Sequence, residues 1–568
     1  MKRGYLSLGL LFGLAVIVLY VMLSRPKKVT LILERGNIYT VNDRMPHAEA
    51  IAIDGDRIAA VGTTAEVRSS FTADSIVDLK WATVFPGFID SHAHLEGIGA
   101  ALMSLNLSGT RSIGQIQDLV AGRVRTSDRE HWIRGRGWDQ NAWADKSFPT
   151  HEPLDAVAPD VPVYLTRVDG HAVWVNRKVL EMAKIDRSSH EPEGGKIVRD
   201  AAGNPTGVFI DNAIDMLNGV LPPPSLAERT AAYERAIQEC IGDGLTEVHD
   251  MGVDLQGIGI YKELIREGKF PFRVYVAING LGETWEHFLK SGPEIGGYDG
   301  RLTVRALKLY ADGALGSRGA ALIEPYSDDP LNRGLTLTSA DVLREASQKA
   351  LAGGFQVCVH AIGDRANNIV LNVYEQVLKA VSVEGKDVRF RVEHAQVVDA
   401  TDIPRFHALG VLPMMQTTHC TSDMYWAEAR LGPRRISGAY AWRSLLNAGS
   451  IIPGGSDAPV ESPNPLWGFY AAITRQDRTG WPQGGWYPEQ RMTREEALKS
   501  FTLWGAYAGF EESKKGSLEK GKLADLVVLT NDIMKVPPEK ILETSVMMTM
   551  VAGKFVYTAE TPEENSGK

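Results

Sequence analysis

The sequence is poor in cysteine. Cys240, Cys358 and Cys420 are the only three in 568 residues, too few and too scattered for a disulfide framework or a cysteine-built zinc site. Basic runs are absent as well. The formal net charge is -9 and the pI about 5.9, which argues against a nucleic-acid footprint. No short repeat period is visible. Long uncharged apolar runs are confined to one place, Gly4 to Ser24 within "MKRGYLSLGLLFGLAVIVLYVMLSRPKK". That stretch is close to the roughly 20 residues needed to span a bilayer. It exceeds the apolar core of about 7–15 residues of a secretory signal and has no small-x-small cleavage site. The expectation is an uncleaved, single-pass membrane anchor over residues 4–24. Lys2 and Arg3 before it and Arg25, Lys27 and Lys28 after it nearly cancel under the positive-inside rule; the rest of the chain is expected outside the cytoplasm.

What remains is ordinary globular material, 44% hydrophobic and 23% charged, and too long for one ordinary core. Residues 29–84 read as short strands, with Asp54-Gly55 as a hairpin signal. Residues 511–560 have the same character, with Ala552-Gly553 as the turn. The two ends are expected to pair into one small sheet domain. Between them, strand-like and helix-like runs alternate from about Leu245, the mark of a parallel α/β architecture. In "SADVLREASQKALAGG", Val342, Leu343, Ala346, Ala350 and Leu351 recur at helical spacing before a Gly353-Gly354 stop. With the strand before His92 the strand count is eight. Eight closes a (β/α)8 barrel, although an open sheet can also hold eight. Residues 100–225, rich in Trp, Gly and charge, break the rhythm and read as an insertion after the first strand, a lid or substrate domain.

In barrels the reactive groups sit at the C-terminal ends of strands. "FPGFIDSHAHL" ends in His92 and His94, whose i, i+2 spacing aims both imidazoles at one side. "FQVCVHAIGD" ends in His360 and "SIIPGGSDAPV" in Asp457. In "VRFRVEHAQ", alternation puts Val388, Phe390, Val392 and His394 on an inward face and Arg389, Arg391 and Glu393 on the other. Lys308 lies in an apolar run, where a bare ammonium is costly. Convergent imidazoles and a carboxylate are the donor set of a divalent metal. Burial lowers the lysine pKa, and a neutral amine can capture carbon dioxide as an anionic carbamate. The alternative is a salt bridge from Lys308 to Asp312 beside a mononuclear centre. His249 ends a strand but stands outside this set. His47, His131, His151, His190, His287, His407 and His419 read as surface or structural.

These motifs, with "DGHAVWVN", "LKLYADGALGSRGAAL" and "GSLEKGKLADLVVL", resemble the amidohydrolase superfamily, in particular its amidohydrolase-3 branch with the N-substituted formamide deformylase-like enzymes. The resemblance spans about residues 31–557. It implies a distorted (β/α)8 barrel over 85–510 and a β-sandwich built from 29–84 and 511–560. It also implies one or two divalent ions, usually zinc, and hydrolysis of non-peptide C–N bonds in a small-molecule amide. His92, His94 and Asp457 would bind one ion, His360 and His394 a second, with Lys308 bridging if carbamylated. An ion of this kind brings the pKa of water from 15.7 toward about 7, supplying hydroxide at neutral pH, and Asp457 would shuttle the proton to the leaving nitrogen. His171 is a candidate contact for the substrate carbonyl or tail, or else a structural loop histidine. Trp138, Trp143 and Trp174 form either a substrate wall or the insertion's core. The alternatives in function are a mononuclear deaminase or an esterase of the same superfamily, or a metal-binding surface protein without catalysis. No nucleic-acid partner is expected, and self-association is left open.

Overall fold

The computed structural model describes residues 26–126, 132–380 and 387–560. Eight parallel strands run in chain order around one sheet: β1 (Phe88–Ala93), β2 (Leu245–Val253), β3 (Arg273–Asn279), β4 (Leu302–Tyr310), β5 (Gln356–Ala361), β6 (Arg391–His394), β7 (Leu412–Gln416) and β8 (Gly454–Gly455). The last returns to the first: the Asp457 N–H donates to the His92 carbonyl at 2.7 Å, and the Ser456 N–H to Asp90 Oδ1 at 3.0 Å. Gly455 is needed at this seam, because a Cβ there would lie 2.6 Å from the His92 nitrogen. The strand expected over 450–460 is thereby cut to two residues. Its remainder becomes the loop that carries Asp457.

Amphipathic helices cover the barrel. Ala340–Ala352 starts at Ser339, whose side chain accepts the Val342 N–H, and buries Leu343, Ala346, Ala350 and Leu351. Val342, expected on that buried stripe, is 41% exposed; it sits in the first turn, beyond the edge of the contact face. The insertion forms its own six-stranded sheet, from Leu105–Asn106 through Gly195–Arg199. Trp138, Trp143 and Trp174 pack on one another with centroids 6.0–6.4 Å apart inside its core, so they are core rather than a substrate wall.

At the other end of the barrel, two sheets share one core. One holds Lys27–Glu34, Ala50–Asp54, Arg57–Gly62 and Phe71–Asp78; the other interleaves Asn37–Tyr39, His47–Ala48 and Thr83–Pro86 with Leu526–Leu529, Val546–Val551 and Lys554–Thr558. The last hairpin turns at Ala552-Gly553, both at positive φ (51° and 73°), which fits the right-handed twist of paired strands.

The membrane-spanning helix was expected over residues 4–24. That segment lies outside the described residues, and no helix among the described residues is long and apolar enough to cross a membrane. The longest, Leu226–Gly242 and Asp364–Ala380, have 17 residues each and a charged face, short of the roughly 20 apolar residues a span requires. The fold class is corrected accordingly to a barrel with flanking sheets. No described helix supports the expected single-pass membrane localisation or the membrane partner.

Arg273 of β3 and Asp525 join barrel to flanking sheet. Arg273 Nε and NH2 donate to Asp525 at 2.9 and 3.2 Å, Asp525 also accepts the Ala552 N–H at 2.7 Å, and both side chains are buried. Burial opposes the charged carboxylate, but Arg273 outweighs it and holds the Asp525 pKa below its usual value. Breaking one half of a buried pair costs about 3–5 kcal/mol. Asp525→Asn is therefore expected to lower the denaturant midpoint by that equivalent. The difference from wild type should be present above a pH of about 4 and shrink as acid protonates the native carboxyl. An unchanged midpoint at neutral pH would show that this pair does not hold the two parts together.

Candidate active site

His92 lies fully buried at the end of β1. Its Nδ1 is 2.5 Å from Glu393 Oε2 on β6. Glu393 accepts Arg391 Nε at 2.7 Å and NH2 at 3.0 Å, and all three residues have no measurable exposure. Burial disfavours the Glu393 carboxylate, yet Arg391 and then His92 keep its pKa far below the usual range. An ionised carboxylate only accepts, so the shared proton sits on His92 Nδ1 and the Nε2 lone pair is left facing the barrel mouth. Burial and then Lys308 lower the His92 pKa, which keeps the ring neutral. The chain continues inward: Arg391 NH1 lies 3.1 Å from His249 Nδ1, and His249 Nε2 lies 3.1 Å from Glu247, which pairs with buried Lys515.

This reverses the facing read from alternation. Arg391 and Glu393 point into the barrel, while Phe390 and Val392 pack outward against the helical layer. His394 nevertheless reaches the mouth, because its backbone turns to φ 73° and Ala395 follows at 42°. Such left-handed conformations are uncommon outside glycine and cost of order 1–3 kcal/mol each. Asp457, at φ 57°, is held the same way.

Around Asp457 the donors gather. Its Oδ1 is 3.4 Å from His92 Nε2 and 3.2 Å from His94 Nε2; its Oδ2 is 3.6 Å from His419 Nε2. Two sets of three have ligand atoms within 4.8 Å of one another: His92, His94 and Asp457, and His394, His419 and Asp457. Burial works against the Asp457 carboxylate, but the flanking histidines hold its pKa well below the usual value. Lys308 Nζ is buried 3.3 Å from His92 Nε2, and burial lowers its pKa. Asp312, the alternative partner for Lys308, accepts the backbone N–H groups of Ala321, Ile362 and Gly363 at 2.8–2.9 Å instead. His360 Nε2 faces the Gly313 carbonyl at 3.4 Å and Asp312 at 3.6 Å, and its ring centroid is 4.5 Å from that of His394.

The insertion supplies the facing wall. His171 Nδ1 is 2.7 Å from Asp211 Oδ1, and its ring is 5.1 Å from His360. Burial disfavours the imidazolium, but the Asp211 hydrogen bond and charge outweigh it and raise the His171 pKa to about 9. Arg167 pairs with Asp139 and Asp169 and donates to Gln140 at 2.8 Å, so its guanidinium is occupied. These groups enclose a cavity of about 150 Å³ lined by His171, His360, His394, His419 and Asp457, with Leu315 and Trp426 as apolar surface.

Sequence reasoning missed Glu393, which strand alternation placed outside, and His419, set aside as structural. A signal for the latter exists. His419, Asp423, Trp426 and Arg430 follow i, i+4, i+7, i+11, the spacing of one helix face, and the first three line the cavity.

The sequence profile of the amidohydrolase family matches residues 75–557. A Bacillus subtilis protein named as an amidohydrolase, YtcJ, is 33% identical over 92% of this chain and 98% of its own. An N-substituted formamide deformylase of Arthrobacter pascens is 28% identical over 93% and 98%. Among solved structures, an uncharacterised metal-dependent hydrolase of Pyrococcus horikoshii superposes with a TM-score of 0.72 at 27% identity, covering 89% of this chain and 99% of its own. With the barrel, the histidine–aspartate cluster and a profile match over most of its length, this chain belongs to the amidohydrolase family and is a hydrolase of carbon–nitrogen bonds.

Proposed function

We propose that the protein hydrolyses the C–N bond of a compact N-acyl or N-formyl amine, with a divalent cation held by His92, His94 and Asp457. The observation that carries this reading is the spacing at Asp457. The His92 and His94 contacts, 3.4 and 3.2 Å, are at or beyond the long end of an N–H···O hydrogen bond. They suit ligands around one ion: four ligands about 2.1 Å from a tetrahedral centre stand about 3.4 Å apart. Two imidazoles and one carboxylate favour zinc among common divalent ions. Lys308, buried beside His92 Nε2 with a lowered pKa, is suited to carbamylation and would then add an oxygen donor.

The chemistry such an ion supplies is Lewis acidity, which acidifies water and polarises a carbonyl. The chain's own groups do the rest. Asp457 is ionised at neutral pH, takes a proton from the attacking water and returns it to the leaving nitrogen. His171, kept charged by Asp211, donates toward the carbonyl oxygen as negative charge develops there. Arg167, committed to its two aspartates, shapes the wall and does not offer a free anion site. The cavity is smaller than the roughly 300–1,000 Å³ typical of drug-sized ligands, which favours a compact substrate. The deformylase relative supports the acyl class.

Purified protein assayed against N-formyl and N-acetyl amines is expected to release amine in a chelator-sensitive manner. Turnover of esters only, or of no amide by protein with bound cation, would overturn the reading. Asp457→Asn, which keeps a ligating oxygen, is expected to retain most of the cation and lose about 10²–10⁴ in kcat; near-normal turnover would remove Asp457 from proton transfer. Because Asp211 raises the His171 pKa, the alkaline limb of kcat/KM is expected near pH 9. In Asp211→Asn the imidazolium loses its partner, so that limb should move to lower pH. A limb that stays in place would free His171 of this role.

A further inference from the structure

One part of the cavity has no role in that reading. Of the carboxylates lining it, Asp457 belongs to the proposed cation, and Asp139 and Asp169 are paired with Arg167. Asp423 and Glu461 remain. Resting on the hydrolytic reading, we propose that Asp423 and Glu461 form a subsite for an ammonium group on the substrate, joined to the scissile amide by a short methylene chain.

Both carboxylates are engaged through one oxygen, and by uncharged groups. Gln396 Nε2 donates to Asp423 Oδ2 at 3.1 Å, and the Tyr440 hydroxyl donates to the same oxygen. Ser422 Oγ donates to Glu461 Oε1 at 2.6 Å. Asp423 Oδ1 and Glu461 Oε2 are left to a ligand. Among the described residues neither side chain is within salt-bridge range of a lysine or arginine. Arg167 and Arg478 act on them from farther off, and the Arg478 guanidinium lies over the Trp467 ring at 3.9 Å. Burial pushes the Asp423 pKa up to about 7 and raises that of Glu461, as it does for carboxylates withdrawn from water without a counter-ion. An ammonium would supply one.

His419 is the second, independent observation. It lines the same cavity, is 9% exposed, and its Nδ1 is buried without a hydrogen-bond partner. Its Nε2 stands 3.6 Å from Asp457 Oδ2, beyond hydrogen-bond range. A polar side chain at this depth is normally satisfied by the protein; here the partner has to come from whatever fills the cavity. His419 and Asp423 lie on one face of the helix Thr417–Asp423, about 6 Å apart along its axis. The distance from the ring beside Asp457 to the unpaired carboxylates is therefore that of a few methylene groups. Leu315, Trp426 and Val460 give the cavity the apolar surface such a spacer needs.

The test compares amides that differ only at the far end. Full-length, cation-loaded protein is assayed with mono-N-acetylated butanediamine, with its uncharged isostere N-pentylacetamide, and with acetamidopentanoate, which ends in a carboxylate. Wild type is expected to favour the acetylated diamine over the pentyl amide by about 10–100-fold in kcat/KM, the range of hydrogen bonds to charged groups. In Glu461→Gln and in Asp423→Asn this preference is expected to fall about tenfold; it is a ratio taken within one protein and so is independent of the active fraction. Glu461→Lys should turn the preference toward acetamidopentanoate. Binding is read separately: calorimetry is expected to show butanediamine, the amine product, binding about tenfold tighter than pentylamine. Equal kcat/KM for the charged and uncharged amides in wild type, or a preference unchanged in both neutral variants, would overturn the subsite and leave the hydrolytic reading standing. With no amide turned over, tighter binding of butanediamine would keep the subsite and sink the hydrolytic reading, and equal binding of the two amines would sink both.

Discussion

Asp457 donates its backbone N–H to the His92 carbonyl across the barrel seam, at 2.7 Å, while its carboxylate lies 3.2–3.6 Å from three histidines. Closure of the sheet and assembly of the site are therefore one event. The strand β8 is only two glycines long; a longer, bulkier strand would hold the loop away from His92. The left-handed backbone at Asp457 and at His394 belongs to the same constraint. Neither side chain would turn toward the mouth from a regular strand, and the surrounding seam and helices carry the cost of that conformation.

The barrel interior below the site is charged. Lys515, Glu247, His249, Arg391, Glu393 and His92 form a continuous series of polar contacts along it. Buried charges are tolerable only when fully paired, and here each member is met by the next. The outcome at the top is chemical: a fixed proton on His92 Nδ1 and a lone pair on Nε2, beside Lys308 Nζ at 3.3 Å. A hydrophobic filling of the same volume would pack as well but would leave the imidazole free to rotate. The insertion plays the corresponding part from outside, where Asp211 keeps His171 charged and Asp139, Asp169 and Gln140 immobilise Arg167.

By itself the sequence determined the local elements. Strand–helix alternation from Leu245 onward, the Ala552-Gly553 turn and the histidines at the ends of β1, β5 and β6 were legible, because periodicity and turn chemistry are written over a few neighbouring residues. Residues 4–24 lie outside the described residues, and the described helices contain no membrane span. Tertiary structure alone decided the rest. Alternation assumed that β6 stays extended to its last residue, so it placed Glu393 outside; the turn at His394 puts both Glu393 and His394 at the centre. His419 lines the cavity only because the helix after β7 is laid against the mouth, 38 positions before Asp457 in the chain. Which donors meet depends on contacts between strands far apart in sequence, and no local pattern carries that information.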